Sequence, residues 1–202
     1  SGHLGIEMDV SDMLSVERTF AQIEHEVGPI RVLVNNAGVM VANQIRPKLI
    51  DFDIEDWDRT FAVNVRGVFL CCRAFLKQQR KHQLEHSRII NMSSVTAQLG
   101  GFSADAAYIA SKASILGLTK ILAREGAELG VTANVVAPGI IDAPMSYQSG
   151  ATNNVEAVLK NIPLSRLGTI EDINHAVSFL ASTKSSYMTG SVMDVNGGYR
   201  MQ

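Results

Sequence analysis

Arg88-Ile-Ile-Asn-Met-Ser-Ser94 and, fourteen residues after its last serine, Tyr108-Ile-Ala-Ser-Lys112 are the stretches on which the fold turns. Ile89 and Ile90 lie in a short apolar run closed by polar residues, the pattern of a strand buried in a parallel sheet. A loop carrying Gly100-Gly101 follows, then a helical pattern over residues 106–129. Tyr108 and Lys112 are four residues apart, so a helix places them on one face. Ser94 stands at the strand's end, and in open α/β sheets ligands collect beyond the carboxyl ends of strands. A free tyrosine ionises near pH ~10 and is a poor acid or base at neutrality. An ammonium one turn away favours the phenolate, which predicts a lowered pKa for Tyr108 and a group able to give and take a proton at a carbonyl or alcohol. Taken alone, Tyr-x-x-x-Lys recurs by chance in many helices as a partly exposed pair.

Outward from this centre, strand-like and helical patterns alternate. Residues 4–10 form a short apolar run ending in Asp9-Val10. Val16, Phe20, Ile23 and Val27 recur at helical spacing, with Ser11 or Asp12 as N-cap and Gly28-Pro29 as the stop. Val32-Leu33-Val34 reads as a second buried strand, and residues 40–56 as an irregular stretch with a short turn or helix. Trp57, Phe61, Val65, Phe69, Cys72 and Leu76 mark one face of a long helix over residues 57–83. Residues 132–136 give a further strand, and residues 138–168 a loop-rich segment. Thr169-Ile-Glu-Asp172 resembles a capping box and opens a helix with Ile173, Val177 and Leu180 on one face. Met193-Asp194-Val195 is the last strand, closed by Gly197-Gly198. Such alternation predicts an α/β fold, a three-layer doubly wound parallel sheet in one domain spanning residues 1–202.

Composition narrows the function classes. At 202 residues with a net charge of -2, the chain has no basic surplus to suggest a nucleic acid or anionic membrane partner. No run of about 18 apolar residues predicts a membrane span, and the N-terminal residues do not read as a signal peptide. No metal site is expected. The two cysteines, Cys71 and Cys72, are adjacent and predict reduced, packed thiols, pointing to a cytoplasmic setting.

In order, Asn35-Asn-Ala-Gly38, Asn64-Val-Arg-Gly67, Asn91-Met-Ser-Ser94 with Tyr108-x-x-x-Lys112, Pro138-Gly139 and Asp194-Val-Asn-Gly197-Gly198 resemble the motifs of the classical short-chain dehydrogenase/reductase family, and the resemblance runs along essentially the whole chain. It is nearest the group of 3-oxoacyl-carrier-protein reductases and sugar or polyol dehydrogenases. The resemblance implies a Rossmann-like oxidoreductase that interconverts a small-molecule carbonyl and a secondary alcohol with NAD or NADP. Tyr108 is then the general acid/base, Lys112 lowers its pKa and holds the nicotinamide ribose, and Ser94 polarises the carbonyl. Asn64 sits at a break in its helix and holds a relay water. Ser93 rivals Ser94, whose spacing to the tyrosine is nearer the family's. Asp9 and Val10 would face the adenine, Asn36, Ala37 and Gly38 the adenosine ribose, and Pro138, Gly139 and Ile141 the nicotinamide. A homo-oligomer, dimer or tetramer, is implied through the helices of residues 57–83 and 106–129 and the C-terminal strands. Residues 144–160 match the family's substrate loop. Lys77, Arg80 and Lys81 read either as a carrier-protein docking patch or as a solvated helix end.

Two departures stand out. Ala143 occupies the position where the family commonly has a threonine for the carboxamide, with Ser146 as a replacement. No Gly-x-x-x-Gly-x-Gly pattern is present; Thr189-Gly190 begins like one, but Ser191-Val-Met-Asp194 follows. The sheet therefore corresponds to the family's without its first two strands, leaving Val32-Leu33-Val34 with an open edge. NAD and NADP are not distinguished. Either the sequence is part of a longer enzyme, with roughly 50–60 residues preceding it, or it is a truncated form in which residues 4–10 slide in beside residues 32–34. The alternative to an enzyme is a non-catalytic interaction or regulatory protein on the same fold.

Overall fold

The computed structural model describes residues 2–40, 47–101 and 104–201. Four parallel strands, β1 (Val32–Asn35), β2 (Ser87–Met92), β3 (Val131–Pro138) and β4 (Val192–Val195), lie in that order across one sheet. The register sets Asn35 beside Asn91, Asn91 beside Val135 and Pro138 beside Val195, so the strands' carboxyl ends share one rim.

Alternation along β2 and β3 builds two cores. Ile89, Val131, Ala133 and Val135 face one way, and pack with Val16 and Phe20 of α1 (Met13–Glu26), Val68, Cys72 and Phe75 of α3 (Val68–His82), and Ile115 and Leu122 of α5 (Ala106–Ala127). Ile90, Met92 and Val136 face the other way, against Ala176 and Leu180 of α8 (Ile170–Ala181). Helices thus cover both faces of the parallel sheet, as the sequence predicts. Cys71 and Cys72 are free, and burial raises their pKa to about 11 and about 12, which keeps them as inert thiols.

Local signals hold at most boundaries. Asp12 caps α1 by accepting from the backbone N–H groups of Leu14 and Ser15, and Thr169 and Asp172 close the reciprocal box that opens α8. The long helix predicted over residues 57–83 begins earlier and is broken. Asp53 caps α2 (Ile54–Phe61), a π-helical turn covers Ala62–Gly67, and α3 continues from there. The loop-rich segment carries two short helices, α6 (Pro144–Gln148) and α7 (Val155–Leu159). Helix α4 (Thr96–Leu99) follows β2. Residues 41–46, part of the stretch read as irregular, lie outside the described residues. Helix α5 corrects the expectation that no segment has the length and composition of a span: its 22 residues meet both. It nevertheless buries Ile115, Leu122 and Ala123 against the sheet and carries Lys112, Lys120 and Arg124.

Residues 4–10 do not form the predicted strand. A strand is defined by its ladder, and among the described residues nothing pairs with the outer edge of β1, where Val32 and Val34 stay 37% and 39% exposed. The segment neither pairs nor slides into that place. Met8 and Val10 instead pack onto the α1/α3 core. Val10 fits there because Gly67 has no side chain: a Cβ at Gly67 would lie 2.9 Å from Val10 Cγ2 and 3.2 Å from its carbonyl oxygen. Gly67→Ala is therefore expected to destabilise the protein by about 1–3 kcal/mol in urea unfolding, with part of the loss restored by adding Val10→Ala. An unchanged midpoint in Gly67→Ala contradicts this anchoring.

Candidate functional site

Strand β2 ends at Met92, and the chain then turns through Ser93 and Ser94 into α4. Helix α5 passes beneath this turn, capped by Asp105, whose carboxylate accepts the Tyr108 N–H at 2.7 Å. One turn on, Lys112 Nζ donates to the Met92 carbonyl at 2.9 Å. It also lies 5.7 Å from the centroid of the Tyr108 ring. Ser93 and Ser94 diverge. Ser93 Oγ donates into the helix, to the Lys112 carbonyl at 2.8 Å. Ser94 lies at the Tyr108 phenol, lines the same cleft and acts to lower the phenol's pKa. Both serines line the phenol's cleft, but the Ser93 hydroxyl is spent on the helix backbone while Ser94 acts on the phenol.

That cleft, about 790 Å³, opens at the carboxyl rim of the sheet. Asn36, Ala37 and Gly38 line it from the end of β1, Ser94, Tyr108 and Lys112 from below, and Pro138, Gly139 and Ile141 from the end of β3. Two glycines are fixed by close approach. A Cβ at Gly38 would lie 3.3 Å from Lys112 Nζ and 3.4 Å from Asn64 Oδ1, and one at Gly139 only 2.7 Å from Asn196 Cα. Beneath the rim, Asn35 donates to Asn91 Oδ1 at 2.8 Å, and Asn91 to Thr119 Oγ1 at 2.9 Å, tying β1, β2 and α5 together.

Asn64 sits in the π-helical turn, fully buried. Its Oδ1 accepts the Val39 N–H, while Nδ2 donates to the Val39 carbonyl and to Ser111 Oγ at 2.8 and 3.0 Å. Both amide donors are thus spent on protein, which leaves the second lone pair of Oδ1 as the side chain's place for a relay water. Asp9 and Val10 do not line the cleft. Asp9 is exposed, and its carboxylate accepts from the N–H and hydroxyl of Ser11, which lowers its pKa.

Electrostatics reverses one expectation. Burial pushes the Tyr108 phenol up to about 12, outweighing the Ser94 hydrogen bond that lowers it, and the Asp105 charge adds to the rise. Burial also depresses Lys112 to about 8. Burial, and not the neighbouring ammonium, sets the direction of the phenol's shift. Both shifts share one cause, removal from water, which disfavours each charged form.

The sequence points to the outer wall only through residues 144–160 and Ser146, and gives no sign of Leu99, Ile173, Val177 or Tyr199 there. Met145, Ser146 and Ser149 from the α6 region, Leu99 of α4, Ile173 and Val177 of α8, and Tyr199 near the C-terminus complete it. Periodicity marks Ile173 and Val177 as core, and they do pack on the core, but they also line the cleft. Ala143 and Ser146 both line it as well. Lys77 and Lys81 are engaged with Glu17 and Glu24 on α1.

A parallel sheet covered on both faces, with a serine, a tyrosine and a lysine in a rim cleft, defines a Rossmann-like α/β protein of oxidoreductase type. The family model described as Enoyl-(Acyl carrier protein) reductase matches residues 1–200. The chain is 36% identical over 197 residues to the 3-oxoacyl-[acyl-carrier-protein] reductase FabG of Escherichia coli, covering 98% of this chain and 78% of the relative. It is 40% identical over 190 residues to a short-chain type dehydrogenase/reductase of Picea abies, covering 94% and 68%. The crystal structure of a short-chain dehydrogenase/reductase (SDR:Glucose/ribitol dehydrogenase) from Brucella melitensis superimposes with a TM-score of 0.87 at 32% identity, covering 98% of this chain and 76% of the other. The chain belongs to the short-chain dehydrogenase/reductase family, in its 3-oxoacyl-carrier-protein reductase-like part.

The buried ammonium has a consequence for stability. Below pH ~8 Lys112 is protonated in both the folded and the unfolded chain; between about 8 and 10.5 only the unfolded chain holds the proton, so this group's contribution to stability rises with pH across that window. Relative to Lys112→Met, the parent is expected to gain about 2 kcal/mol between pH ~7 and pH ~10 in urea unfolding. A difference that stays constant with pH contradicts the burial.

Proposed function

We propose that residues 1–202 act as one catalytic domain that interconverts a carbonyl and a secondary alcohol with NAD or NADP, and that it favours reduction. The observation that carries this reading is the convergence of Ser94, Tyr108 and Lys112 on one cleft at the carboxyl rim. The cleft suits the nicotinamide-ribose half of such a cofactor. Lys112 is a buried ammonium bonded, among the described residues, to Met92 O, and its other N–H groups are available to ribose hydroxyls. Asn36, Ala37 and Gly38, with Pro138, Gly139 and Ile141, form the flanking walls; Asp9 and Val10 enter only as the adenine end. When bound, the nicotinamide supplies or accepts the hydride.

The protein's own groups do the rest. The Ser94 hydroxyl grips the carbonyl oxygen and polarises it. The phenol of Tyr108, at about 12, is neutral at physiological pH and gives its proton to that oxygen as charge develops. Lys112 orients the cofactor from below, and Asn64 acts as a positioning residue that fixes Val39 and Ser111. Lys112 is the one charged residue among the described lining residues; Met40, Leu99, Met145, Ile173 and Val177 supply apolar wall. A small, uncharged, largely apolar carbonyl compound fits these walls. We place the reaction in the cytoplasm, in keeping with two free thiols.

Tyr108→Phe is expected to lower the rate of ketone reduction, followed by consumption of reduced NAD or NADP, by at least about a hundredfold. Retained activity refutes the mechanism. Oxidation of the alcohol needs the phenolate, so its rate is expected to climb from about pH 7 to about pH 10 while reduction does not. A climb in both directions contradicts the acid role.

A homo-oligomer is part of the same reading. Phe61, Val65, Phe69 and Leu118 line an apolar groove of about 580 Å³ on the α2–α3 and α5 side. Phe69 and, nearby on α5, Ile121 stay 48% and 47% exposed. Phe69→Glu is expected to reduce the parent's assembly, read by light scattering after size exclusion. A monomeric parent, or an unchanged assembly in the variant, argues against this face.

A further inference from the structure

Thr96, the first residue of α4, touches one oxygen twice. Its backbone N–H donates to Ser94 Oγ at 3.2 Å, and its hydroxyl lies 2.9 Å from the same atom. A serine hydroxyl has one proton to give and two lone pairs to fill. The N–H can only donate, so it fills one lone pair. If the Thr96 hydroxyl fills the other, the Ser94 proton remains for the cleft, where the Tyr108 phenol stands beside it and Ser94 acts to lower the phenol's pKa.

Thr96 is itself held from two sides. Its methyl packs where Gly101 has no side chain: a Cβ there would lie 3.2 Å from Thr96 Cβ and 3.3 Å from Cγ2, and the backbone φ of +63 suits glycine. Further along α4, Gln98 donates to Asp194 Oδ1 at 3.1 Å, and Arg200 to Asp194 Oδ2 at 2.9 Å. Helix α4 is thereby fastened to the end of β4 and to the C-terminal residues. We infer that Thr96 is a positioning residue whose hydroxyl and N–H together aim the Ser94 proton at the oxygen of Tyr108 and of the bound carbonyl. The inference rests on the reading of the cleft as a carbonyl-reducing site, and it names a residue that reading does not require.

The opposite network would have Tyr108 donating to Ser94 and Ser94 to Thr96. The two differ in the sign of one shift. With the protein's tyrosines replaced biosynthetically by 3-fluorotyrosine, fluorine NMR follows each phenol's titration without substrate or cofactor. The Tyr108 signal is assigned by its loss in Tyr108→Phe. Thr96→Val keeps the side chain's shape and removes the hydroxyl. Ser94 is then free to turn its proton away, and the Tyr108 midpoint is expected to rise by about half a pH unit or more. Thr96→Ser should restore the parent value. Thr96→Ala serves as a second hydroxyl-free variant if Thr96→Val does not fold. A midpoint that stays put or falls in the hydroxyl-free variants overturns the inference. Ser94→Ala separates the levels. If it raises the midpoint while the Thr96 variants do not, only the role of Thr96 is lost. If it too leaves the midpoint in place, the Ser94–Tyr108 contact behind the proposed function fails with it.

Discussion

Lys112 carries an ammonium into a place with almost no water, 5% exposed and with no carboxylate partner among the described residues. A buried charge of this kind is tolerated only when its surroundings are fixed around it. Here the fixing is done by backbone. The Met92 carbonyl at the end of β2 accepts its bond, and the Asn35–Asn91–Thr119 chain ties that strand end to its neighbours. Gly38 must lack a side chain so that the β1 loop can pass over the ammonium, and the π-helical turn must hold Asn64 against the same loop. The strand ends, the loop after β1 and the middle of α3's approach are therefore arranged about one group.

The phenol above the ammonium shares its dryness. Separation from water holds Lys112 down and Tyr108 up, which keeps the pair as an ammonium, or at higher pH an amine, beside a neutral phenol. A neutral phenol is an acid. This ties the depth of the cleft floor to the acid role proposed for Tyr108. It also explains why the hydroxyl of Ser94 matters: it is the one named group whose hydrogen bond favours the phenolate.

Much of this was legible in the sequence for specific reasons. Ile89 and Ile90 sit on opposite faces of β2 and reach opposite cores, so a two-sided apolar run did mean a strand covered on both sides. The Tyr108–Lys112 spacing placed both on one helix face, and Ser94 fell beyond the strand end as the topology requires. What was not legible depends on neighbours far along the chain. Residues 4–10 have the composition of a strand, but pairing is decided by what lies alongside, and they pack as an unpaired segment on α3 instead. The π-helical turn leaves no mark in the apolar periodicity of residues 57–83, and only the Asn64-Val-Arg-Gly67 motif points to a break there. Tyr199 and Val177 reach the cleft only because β4 and α8 return beside it. The sign of the phenol's shift could not be read from spacing, since proximity of an ammonium argues one way and burial the other, and only the three-dimensional depth decides between them.

The most direct test of the desolvated pair is carbon NMR of lysine side chains, with the Cε signals followed from about pH 6 to about pH 11. One lysine, absent from the spectrum of Lys112→Met, should titrate near 8 in the folded protein. If every lysine, Lys112 included, titrates at the ordinary value near 10.5, the floor of the cleft is wet and the arrangement described for Tyr108 is wrong.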